Sequence, residues 1–195
     1  MGEKSAALAA PVNVLMRRTT LFGLPAPPIP AAPLVVRRAH VEEAGALAAL
    51  LGRAYPTETW DAAGTERELF RDETVRATLV AAAEGRLVAT ASLQVRPDAP
   101  GCGWVRWVAT EPDRRREGLA RALVIGVLAA ARQVGCLEAR LRTTTDRLEA
   151  IPLYLQLGFE PLVAGEPERA VWERVLRLLS GYQDTELRHL GLRTK

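Results

Sequence analysis

Hydrophobic and polar positions along the chain follow two periods, and each period predicts a different kind of element. Apolar residues at alternate positions indicate strands, whereas apolar residues three or four positions apart indicate helices. From Leu34 onward the period switches repeatedly. The predicted strands cover residues 34–38, 77–83, 87–95, 104–110, 136–144 and 159–163, and the predicted helices cover residues 41–54, 65–72, 118–134, 148–157 and 166–179.

The order of these elements predicts an α+β fold. The strands at 77–83 and 87–95 are separated only by Glu84-Gly85-Arg86, and glycine supplies the positive φ that a tight hairpin turn needs. The helix at 118–134 is apolar nearly all round, which predicts a largely buried crossover between two strands. Hairpins followed by one crossover indicate a mixed, mostly antiparallel sheet flanked by helices rather than a doubly wound sheet.

Composition fits a single domain with one core. The chain has 195 residues, is 48% hydrophobic and carries a formal charge of +3. These values exclude wholesale disorder, collagen-like repeats and a disulfide-stapled miniprotein. We predict a flexible tail and proline-rich lead-in at 1–33, a domain at 34–180, and a C-terminal extension of unknown role at 181–195. The lead-in GLPAPPIPAAP holds five prolines, which neither a helix nor a central strand accepts.

The scarce metal-binding residue types predict a protein without a metal. Cys102, Cys136, His40 and His189 are the two cysteines and two histidines of the chain, and their spacing matches no metal-ligand cluster. The sequence also lacks an apolar run of membrane-spanning length and the order of a secretory signal. We therefore expect a cytoplasmic location and no membrane partner.

The junction between the strand at 104–110 and the helix at 118–134 is typical of an anion-binding turn. A strand that turns into the start of a buried helix leaves backbone N–H groups pointing outward, and the helix dipole adds partial positive charge. Arg115, Gly118 and Ala120 have the spacing R-x-x-G-x-A, and Arg114, Arg116 and Arg121 add positive charge nearby. The segment is neither a dinucleotide fingerprint nor a P-loop.

A second motif lies in the helix that ends at Leu157-Gly158-Phe159 and carries Tyr154. Together with the R-x-x-G-x-A turn, this A-I-x-L-Y-x-x-L-G-F segment resembles the GNAT family of acyl-CoA-dependent N-acyltransferases. The element order from about residue 34 to 163 is similar to that family's as well. The resemblance implies a GNAT-type fold whose central strand, turn and helix form an acyl-CoA site.

The resemblance also implies which residues bind acetyl-CoA, the expected co-substrate. The pyrophosphate is expected on the turn, with Arg115 at the leading position of the motif. The pantetheine arm is expected to pair with the preceding strand like an added strand, and Tyr154 is the expected proton donor to the leaving thiolate. The implied cofactor-binding residues are Val108, Ala109, Thr110, Arg115, Arg116, Glu117, Gly118, Leu119, Ala120 and Arg121.

Two positions depart from the family pattern. Many relatives have Asn seven residues before the tyrosine, where this chain has Arg147. A glutamate base is frequent on the strand before this helix, and Arg142 stands at the equivalent place. No general base is therefore assigned, and Glu111, Asp146 and His40 are only candidates. A water chain could also remove the amine proton.

The residues around these departures raise two smaller hypotheses. Asp146 and Glu149 could form a capping box, although Pro152 predicts that the regular helix starts nearer Ala150. The acceptor is expected to contact the segment 54–73, which includes Tyr55, Trp60 and Phe70. Arg142 and Arg147 favour an acceptor that carries a carboxylate or phosphate.

Three functions compete for this sequence. The leading one is an acetyl-CoA-dependent N-acetyltransferase that transfers acetyl to a primary amine, of a small molecule or a peptide, by direct attack. The alternative is a non-catalytic acyl-CoA-binding or interaction module of the same fold. Nucleic-acid binding through residues 114–121 ranks last, because Glu117 interrupts the basic cluster and no aromatic residues accompany it. We expect no nucleic-acid partner, and a homodimer is left open.

Overall fold

The computed structural model describes residues 11–27 and 33–179. The strands are β1 (Asn13–Arg18), β2 (Val35–Arg38), β3 (Val75–Ala83), β4 (Arg86–Val95), β5 (Cys102–Thr110), β6 (Glu138–Thr144) and β7 (Glu160–Pro161). The helices are α1 (Ala44–Ala54), α2 (Ala62–Glu66), α3 (Leu119–Gln133), α4 (Ile151–Gln156) and α5 (Glu166–Leu178). The α+β fold class is confirmed.

The chain divides into two units, which are described separately. One unit comprises Thr19–Ala139, and the other joins Met1–Arg18 with Arg140–Lys195. The predicted C-terminal extension, and residues 1–10 and 28–32 of the predicted tail and lead-in, lie outside the described residues. The domain boundaries at 34 and 180 stay a prediction. No helix in the described ranges combines the length and the apolar character needed to cross a membrane.

The unit Thr19–Ala139 contains four consecutive antiparallel strands in the order β2-β3-β4-β5. The predicted hairpin between β3 and β4 is confirmed, and Ala83 pairs with Arg86 across it. Glu84 and Gly85 both have positive φ, 52° and 77°. This is the backbone that a two-residue hairpin loop requires, so the turn follows from its sequence.

Helices α1 and α3 cover opposite faces of these four strands. Leu47, Leu50 and Leu51 of α1 belong to a buried cluster that includes Val80 of β3. The neighbouring residue Leu79 points the other way, and its Cδ1 would lie 2.8 Å from a Cβ added at Gly126 of α3. Successive strand residues alternate between faces, so each helix has its own side of the sheet. The predicted burial of α3 is confirmed.

Strand β5 contains a bulge next to the candidate site. Ser92 of β4 pairs with Arg106, but Thr90 pairs with Ala109, so two residues of β5 oppose one residue of β4. Within this interval Trp107 has a φ of 48°, which is uncommon for a residue with a side chain. The bulge removes backbone groups from the regular ladder and redirects the last residues of β5.

In the other unit the strands follow the order β6-β1-β7. Strand β1 is not among the predicted strands, which begin at Leu34. Its residues alternate between buried and exposed positions as in a strand, with Val14 4% and Met16 0% exposed. The pattern is masked in the sequence by the proline-rich segment that follows it. Strand β7 covers only Glu160–Pro161 and is shorter than the predicted strand at 159–163, although the Leu162 N–H still donates to the Leu15 carbonyl of β1 at 2.9 Å.

Two predicted helices have different limits in the structure. The predicted helix at 65–72 consists of α2 followed by a π-helical turn at Arg67–Arg71. Asp61 caps α2 by accepting a hydrogen bond from the Gly64 N–H at 2.6 Å, which starts the helix earlier than predicted. Helix α4 begins at Ile151, as Pro152 predicts, because proline is tolerated only in the first turn.

Candidate functional site

The candidate anion-binding turn connects β5 to α3. The chain leaves β5 at Thr110, forms a single 3₁₀ turn at Pro112–Arg114, and enters α3 at Leu119. Arg116 and Gly118 have positive φ, 65° and 77°. A Cβ at Gly118 would meet no atom within 4 Å, so the glycine is required by its backbone conformation and not by crowding. The predicted strand-turn-helix arrangement is confirmed.

The first turn of α3 has unpaired N–H donors. Its first internal hydrogen bond runs from the Ala122 N–H to the Gly118 carbonyl at 3.0 Å, so the N–H groups of Leu119, Ala120 and Arg121 precede the helical ladder. The N-cap position offers no side-chain acceptor, and the first turn contains no acidic residue. These donors lie where the helix dipole favours a negative charge.

The arginines around the turn are not equivalent. Arg114 forms two hydrogen bonds with the Glu117 carboxylate, at 2.7 and 2.9 Å, and this contact lowers the pKa of Glu117. The positive charge that the sequence places near the turn at Arg114 is therefore paired locally with Glu117. Arg115 and Arg116 are exposed, and with Arg121 they form no ion pair with any described residue. Three positive charges thus remain for an external anion.

The end of β5 presents main-chain groups beside this turn. Ala109 is buried, at 4% exposure, whereas Val108 and Thr110 are half-buried. The Val108 carbonyl accepts a hydrogen bond from the Tyr55 hydroxyl at 3.0 Å. The Thr110 Oγ1 atom is buried and has no hydrogen-bond partner among the described residues. A buried hydroxyl without a partner is costly to the folded state.

Glu111, one of the candidate bases, has a structural environment that the sequence did not reveal. Its side chain is 4% exposed, and Arg53 binds both carboxylate oxygens, at 2.5 and 3.0 Å. Arg86 lies 3.8 Å from the same carboxylate. Both carboxylate oxygens of Glu111 are therefore engaged by Arg53. His40, another candidate, is exposed, and its backbone N–H donates to Glu43 at 2.9 Å.

The segment expected to contact the acceptor begins at the end of α1. Tyr55 and Trp60 are half-buried, and their ring centroids lie 6.4 Å apart at 46°. Both pack with Phe70 against the buried cluster under α1. The Trp60 Nε1 atom is buried without a partner among the described residues. Burial raises the pKa of nearby Glu68, and the charge of Arg106 opposes that shift.

Tyr154 lies on α4, in the other unit, and is 6% exposed. Its ring meets Phe159 edge to face, with centroids 6.1 Å apart. The helix ends through two hydrogen bonds, from the Phe159 N–H to the Tyr154 carbonyl and from the Gly158 N–H to the Leu155 carbonyl, at 3.0 and 2.9 Å. This is a Schellman motif, so the predicted helix end at Gly158 is confirmed. Whether Tyr154 donates a proton stays a prediction.

The two arginines at the positions that depart from the family pattern also lie in this unit. Arg142 is exposed on β6, and Arg147 is half-buried in the turn before α4. Helix α4 has Ala150 at its N-cap with no side-chain hydrogen bond, so the capping box predicted for Asp146 and Glu149 is wrong. The helix cannot start at Asp146, because Pro152 is tolerated only in the first helical turn.

Comparison with known proteins identifies the family. The profile of the Acetyltransferase (GNAT) family matches residues 45–159, which contain all of α1 but its first residue, strands β3 to β6, the turn, α3 and α4. The chain therefore belongs to the GNAT acetyltransferase family. Its resemblance to that family, stated from the two motifs alone, is confirmed.

Individual relatives agree with this assignment. Human N-acetyltransferase 8 is 40% identical over 68 residues, covering 35% of this chain and 29% of that protein. A GCN5-related N-acetyltransferase from Kribbella flavida superposes with a TM-score of 0.58 at 25% identity, over 80% of this chain and 56% of the other. The chain thus spans roughly a third of the human relative and about half of the Kribbella protein.

A third relative shares the fold alone. Diaminobutyrate acetyltransferase from Paenibacillus lautus, whose structure contains L-2,4-diaminobutyric acid and coenzyme A, superposes with a TM-score of 0.56 at 19% identity. The match covers 65% of this chain and 75% of the other. The fold is therefore the GNAT type, with a mostly antiparallel sheet flanked by helices.

Proposed function

We propose that this protein is an N-acetyltransferase that transfers the acetyl group of acetyl-CoA to a primary amine. The observation that carries the proposal is the open start of α3, where unpaired N–H donors and three available arginines meet at the spacing of the family's motif. A pyrophosphate fits such a place, because it accepts several hydrogen bonds and is attracted by the helix dipole.

The end of β5 supports the same co-substrate. The strand ends, next to the turn, with Val108, Ala109 and Thr110. The Thr110 hydroxyl is buried and has no partner among the described residues. A pantetheine arm carries amide groups that can pair with main-chain groups at such a strand end. These residues fit acyl-CoA better than a bare phosphate, which would leave the strand end unused.

The proposed reaction is a direct displacement. The thioester of acetyl-CoA supplies an acyl carbon that an uncharged amine can attack. A new N–C bond forms, the C–S bond breaks, and the amine proton is released to solvent. Tyr154 is proposed to donate the phenolic proton to the departing sulfur and to regain one from water, a role suited to a group whose ordinary pKa is near 10. Backbone N–H groups at the end of β5 are proposed to stabilise the developing oxyanion.

The acceptor is proposed to be a primary amine of a small molecule or peptide, contacting Tyr55, Trp60 and Phe70. Exposed Arg142 and half-buried Arg147 favour an acceptor with a carboxylate or phosphate. Unchanged acceptor affinity in Arg142→Ala and Arg147→Ala would remove that preference. We propose no nucleic-acid, metal or membrane partner, and the cytoplasmic location stays a prediction.

The first test is a titration with acetyl-CoA, monitored by thermal shift and by the fluorescence of the four tryptophans. The wild type should be stabilised saturably. Gly118→Glu should weaken binding about 100-fold or more, because it places a carboxylate on the donors meant for the pyrophosphate. Gly118→Ala is the matched control, since it strains the backbone without adding charge. No binding to the wild type would remove the proposal.

A second test separates an enzyme from a non-catalytic acyl-CoA-binding module. Purified protein would be mixed with acetyl-CoA and a panel of amines, and free thiol would be followed over time. We expect amine-dependent thiol release, and Tyr154→Phe should lower kcat by roughly tenfold or more while the acetyl-CoA affinity stays unchanged. Saturable binding with no thiol release for any amine would favour the module.

A further inference from the structure

Two contacts join the C-terminal end of α1 to the C-terminal end of β5. The Arg53 guanidinium binds the Glu111 carboxylate through two hydrogen bonds, Nη2 to Oε1 at 2.5 Å and Nε to Oε2 at 3.0 Å. Two residues further along, the Tyr55 hydroxyl donates to the Val108 carbonyl at 3.0 Å. These four residues are called the α1–β5 clamp. The proposed reaction gives no role to the Arg53–Glu111 pair or to the hydrogen bond between Tyr55 and Val108.

The clamp surrounds a buried negative charge. The Glu111 side chain is 4% exposed, whereas its partner Arg53 is 51% exposed. The Glu111 backbone is tied as well, because its N–H donates to the Val88 carbonyl at 2.8 Å and its carbonyl accepts from the Arg114 N–H at 3.0 Å. A buried carboxylate is tolerated only when such partners compensate its lost hydration. Every polar group of Glu111 is therefore fixed.

The place that is fixed is the start of the anion-binding turn. Glu111 directly follows Thr110, the last residue of β5, and precedes the 3₁₀ turn that leads to Gly118. A charge so close to a pyrophosphate site would repel the ligand if it were free. The bidentate guanidinium offsets that repulsion while holding the backbone in place.

The second contact compensates for the bulge in β5. Because two residues of β5 oppose one of β4 in this interval, the β4 ladder does not hold every backbone group there. The Tyr55 hydroxyl holds the Val108 carbonyl instead. Tyr55 also caps the end of α1, where its N–H donates to the Leu51 carbonyl at 2.7 Å. The end of β5 is thus anchored to a helix that is itself packed in the core.

We propose that the α1–β5 clamp positions the acyl-CoA-binding edge of the protein. Arg53 and Tyr55, acting through Glu111 and the Val108 carbonyl, hold the last residues of β5 and the following turn in the conformation that binds the co-substrate. Arg53, Tyr55 and Glu111 are positioning residues and need not contact the ligand. The inference rests on the proposed function, since it assumes that acyl-CoA binds at this edge.

The chain contains a matched control for the clamp. Arg37 and Glu43 form another bidentate pair in the same unit, at 2.7 and 2.8 Å, with side chains 34% and 21% exposed. This pair joins β2 to the 3₁₀ turn before α1 and contacts neither β5 nor the turn. Breaking it should lower stability less than breaking the clamp, because both side chains are more exposed than Glu111, and it should leave the acyl-CoA-binding edge in place.

The experiment compares both pairs in the full-length protein. The clamp variants are Arg53→Met, Arg53→Lys, Glu111→Gln and Tyr55→Phe, and the controls are Arg37→Met and Glu43→Gln. Dissociation constants for acetyl-CoA would be measured by calorimetry at a temperature where circular dichroism shows each variant folded. Melting temperatures would be recorded in parallel, so that loss of affinity is separated from loss of stability.

We expect Arg53→Met and Glu111→Gln to raise the dissociation constant roughly tenfold, because a small displacement of binding groups weakens many contacts at once. Tyr55→Phe should raise it about threefold, and Arg53→Lys should restore part of the affinity lost in Arg53→Met. The controls should stay within about twofold of the wild type despite lowered melting temperatures.

Two results would overturn the proposal, and they differ from each other. Clamp variants that lose melting temperature like the controls, yet bind acetyl-CoA within about twofold of the wild type, would show a purely structural pair. A wild type that does not bind acetyl-CoA would remove the proposed function and the clamp proposal together. Arg53→Lys and Tyr55→Phe keep most of the native packing, so the comparison stays available if the other variants fail to fold.

Discussion

Helices α1 and α3 begin in opposite chemical situations, although they cover two faces of the same four strands. The 3₁₀ turn at Val41–Glu43 that leads into α1 carries two acids, Glu42 and Glu43. The Glu43 carboxylate accepts a hydrogen bond from the His40 N–H at 2.9 Å and pairs with Arg37. This helix start contains its own negative charge, already hydrogen-bonded.

The start of α3 has no such charge of its own. Its first turn contains no acidic residue and its N-cap is Gly118, which offers no side chain. The nearest carboxylate, on Glu117, is held by Arg114. The start of α3 thus leaves its donors unpaired among the described residues, as the proposed acyl-CoA site requires, whereas the start of α1 is already satisfied. A helix start becomes a binding site when the protein leaves its donors unpaired and places positive charge beside them.

The strongest way to break this comparison is to remove the positive charge at α3. We expect Arg115→Gln combined with Arg116→Gln to raise the dissociation constant for acetyl-CoA roughly tenfold or more at low salt. The affinity of the variant should also depend less on salt than that of the wild type. Calorimetric titrations at several ionic strengths would measure both effects.

Arg132→Gln removes one positive charge and is the matched control for each single variant, Arg115→Gln and Arg116→Gln, since Arg132 is exposed in the last turn of the same helix. It changes the net charge without touching the helix start, so its acetyl-CoA affinity should remain close to that of the wild type. An equal loss in Arg132→Gln would mean that overall charge, and not the start of α3, attracts the ligand.

The next prediction concerns the stability contributed by the Arg37–Glu43 pair at the start of α1. Arg37 lowers the pKa of Glu43 from its ordinary value of 4.5 to about 2, chiefly through hydrogen bonding. Because the folded pKa is depressed, the stabilisation is present above the ordinary value and is lost as pH falls towards about 2. Glu43→Gln should therefore cost about 1 kcal/mol of unfolding free energy at neutral pH. Denaturant titrations at several pH values would test this.

In that series, the difference between Glu43→Gln and the wild type should shrink below pH 4.5 and vanish near pH 2. Acetyl-CoA affinity at neutral pH should not change, because α1 starts away from the turn. A stability difference that persisted at the lowest pH would show that the glutamine disturbs packing rather than charge.

The smallest expected effect comes from inorganic pyrophosphate, which lacks the rest of the co-substrate. At millimolar concentration it should raise the melting temperature of the wild type by about 1–2 °C, through mass action on the folded state. Gly118→Glu should abolish the shift and Glu43→Gln should retain it. A shift retained in Gly118→Glu would place the anion elsewhere.

The sequence predicted those features of fold and site that depend on local signals. The turn before α3, the hairpin at Glu84 and Gly85, and the helix end at Gly158 all follow from glycines beside periodic segments, and all are present. The GNAT family was likewise recognisable from two short motifs, and the profile match at 45–159 agrees. The cofactor residues and Tyr154 stay predictions about function, although their elements are where expected.

Features that depend on distant partners could not be predicted. Arg53 and Glu111 are 58 residues apart in the chain, and no periodicity links them. The bulge at Trp107 interrupts a segment that reads as a regular strand. In β1 the buried residues Val14 and Met16 alternate with exposed residues, as in any half-buried strand. A segment of six residues beside a proline-rich stretch is too short for this alternation to distinguish a strand from a tail.

The position of the turn before α3 depends on the absence of a side chain at Gly126, in the middle of that helix. A Cβ there would lie 2.8 Å from Leu79 Cδ1, so a side chain at this position requires either the end of the Leu79 side chain or α3 itself to shift. The donors of α3 lie about 10 Å away along the axis, two turns towards the N-terminus. Where Leu79 does not yield, a methyl group under the middle of the helix displaces the helix and tilts the donors without touching the ligand. In a mutational screen, such a variant would mimic the loss of a binding residue.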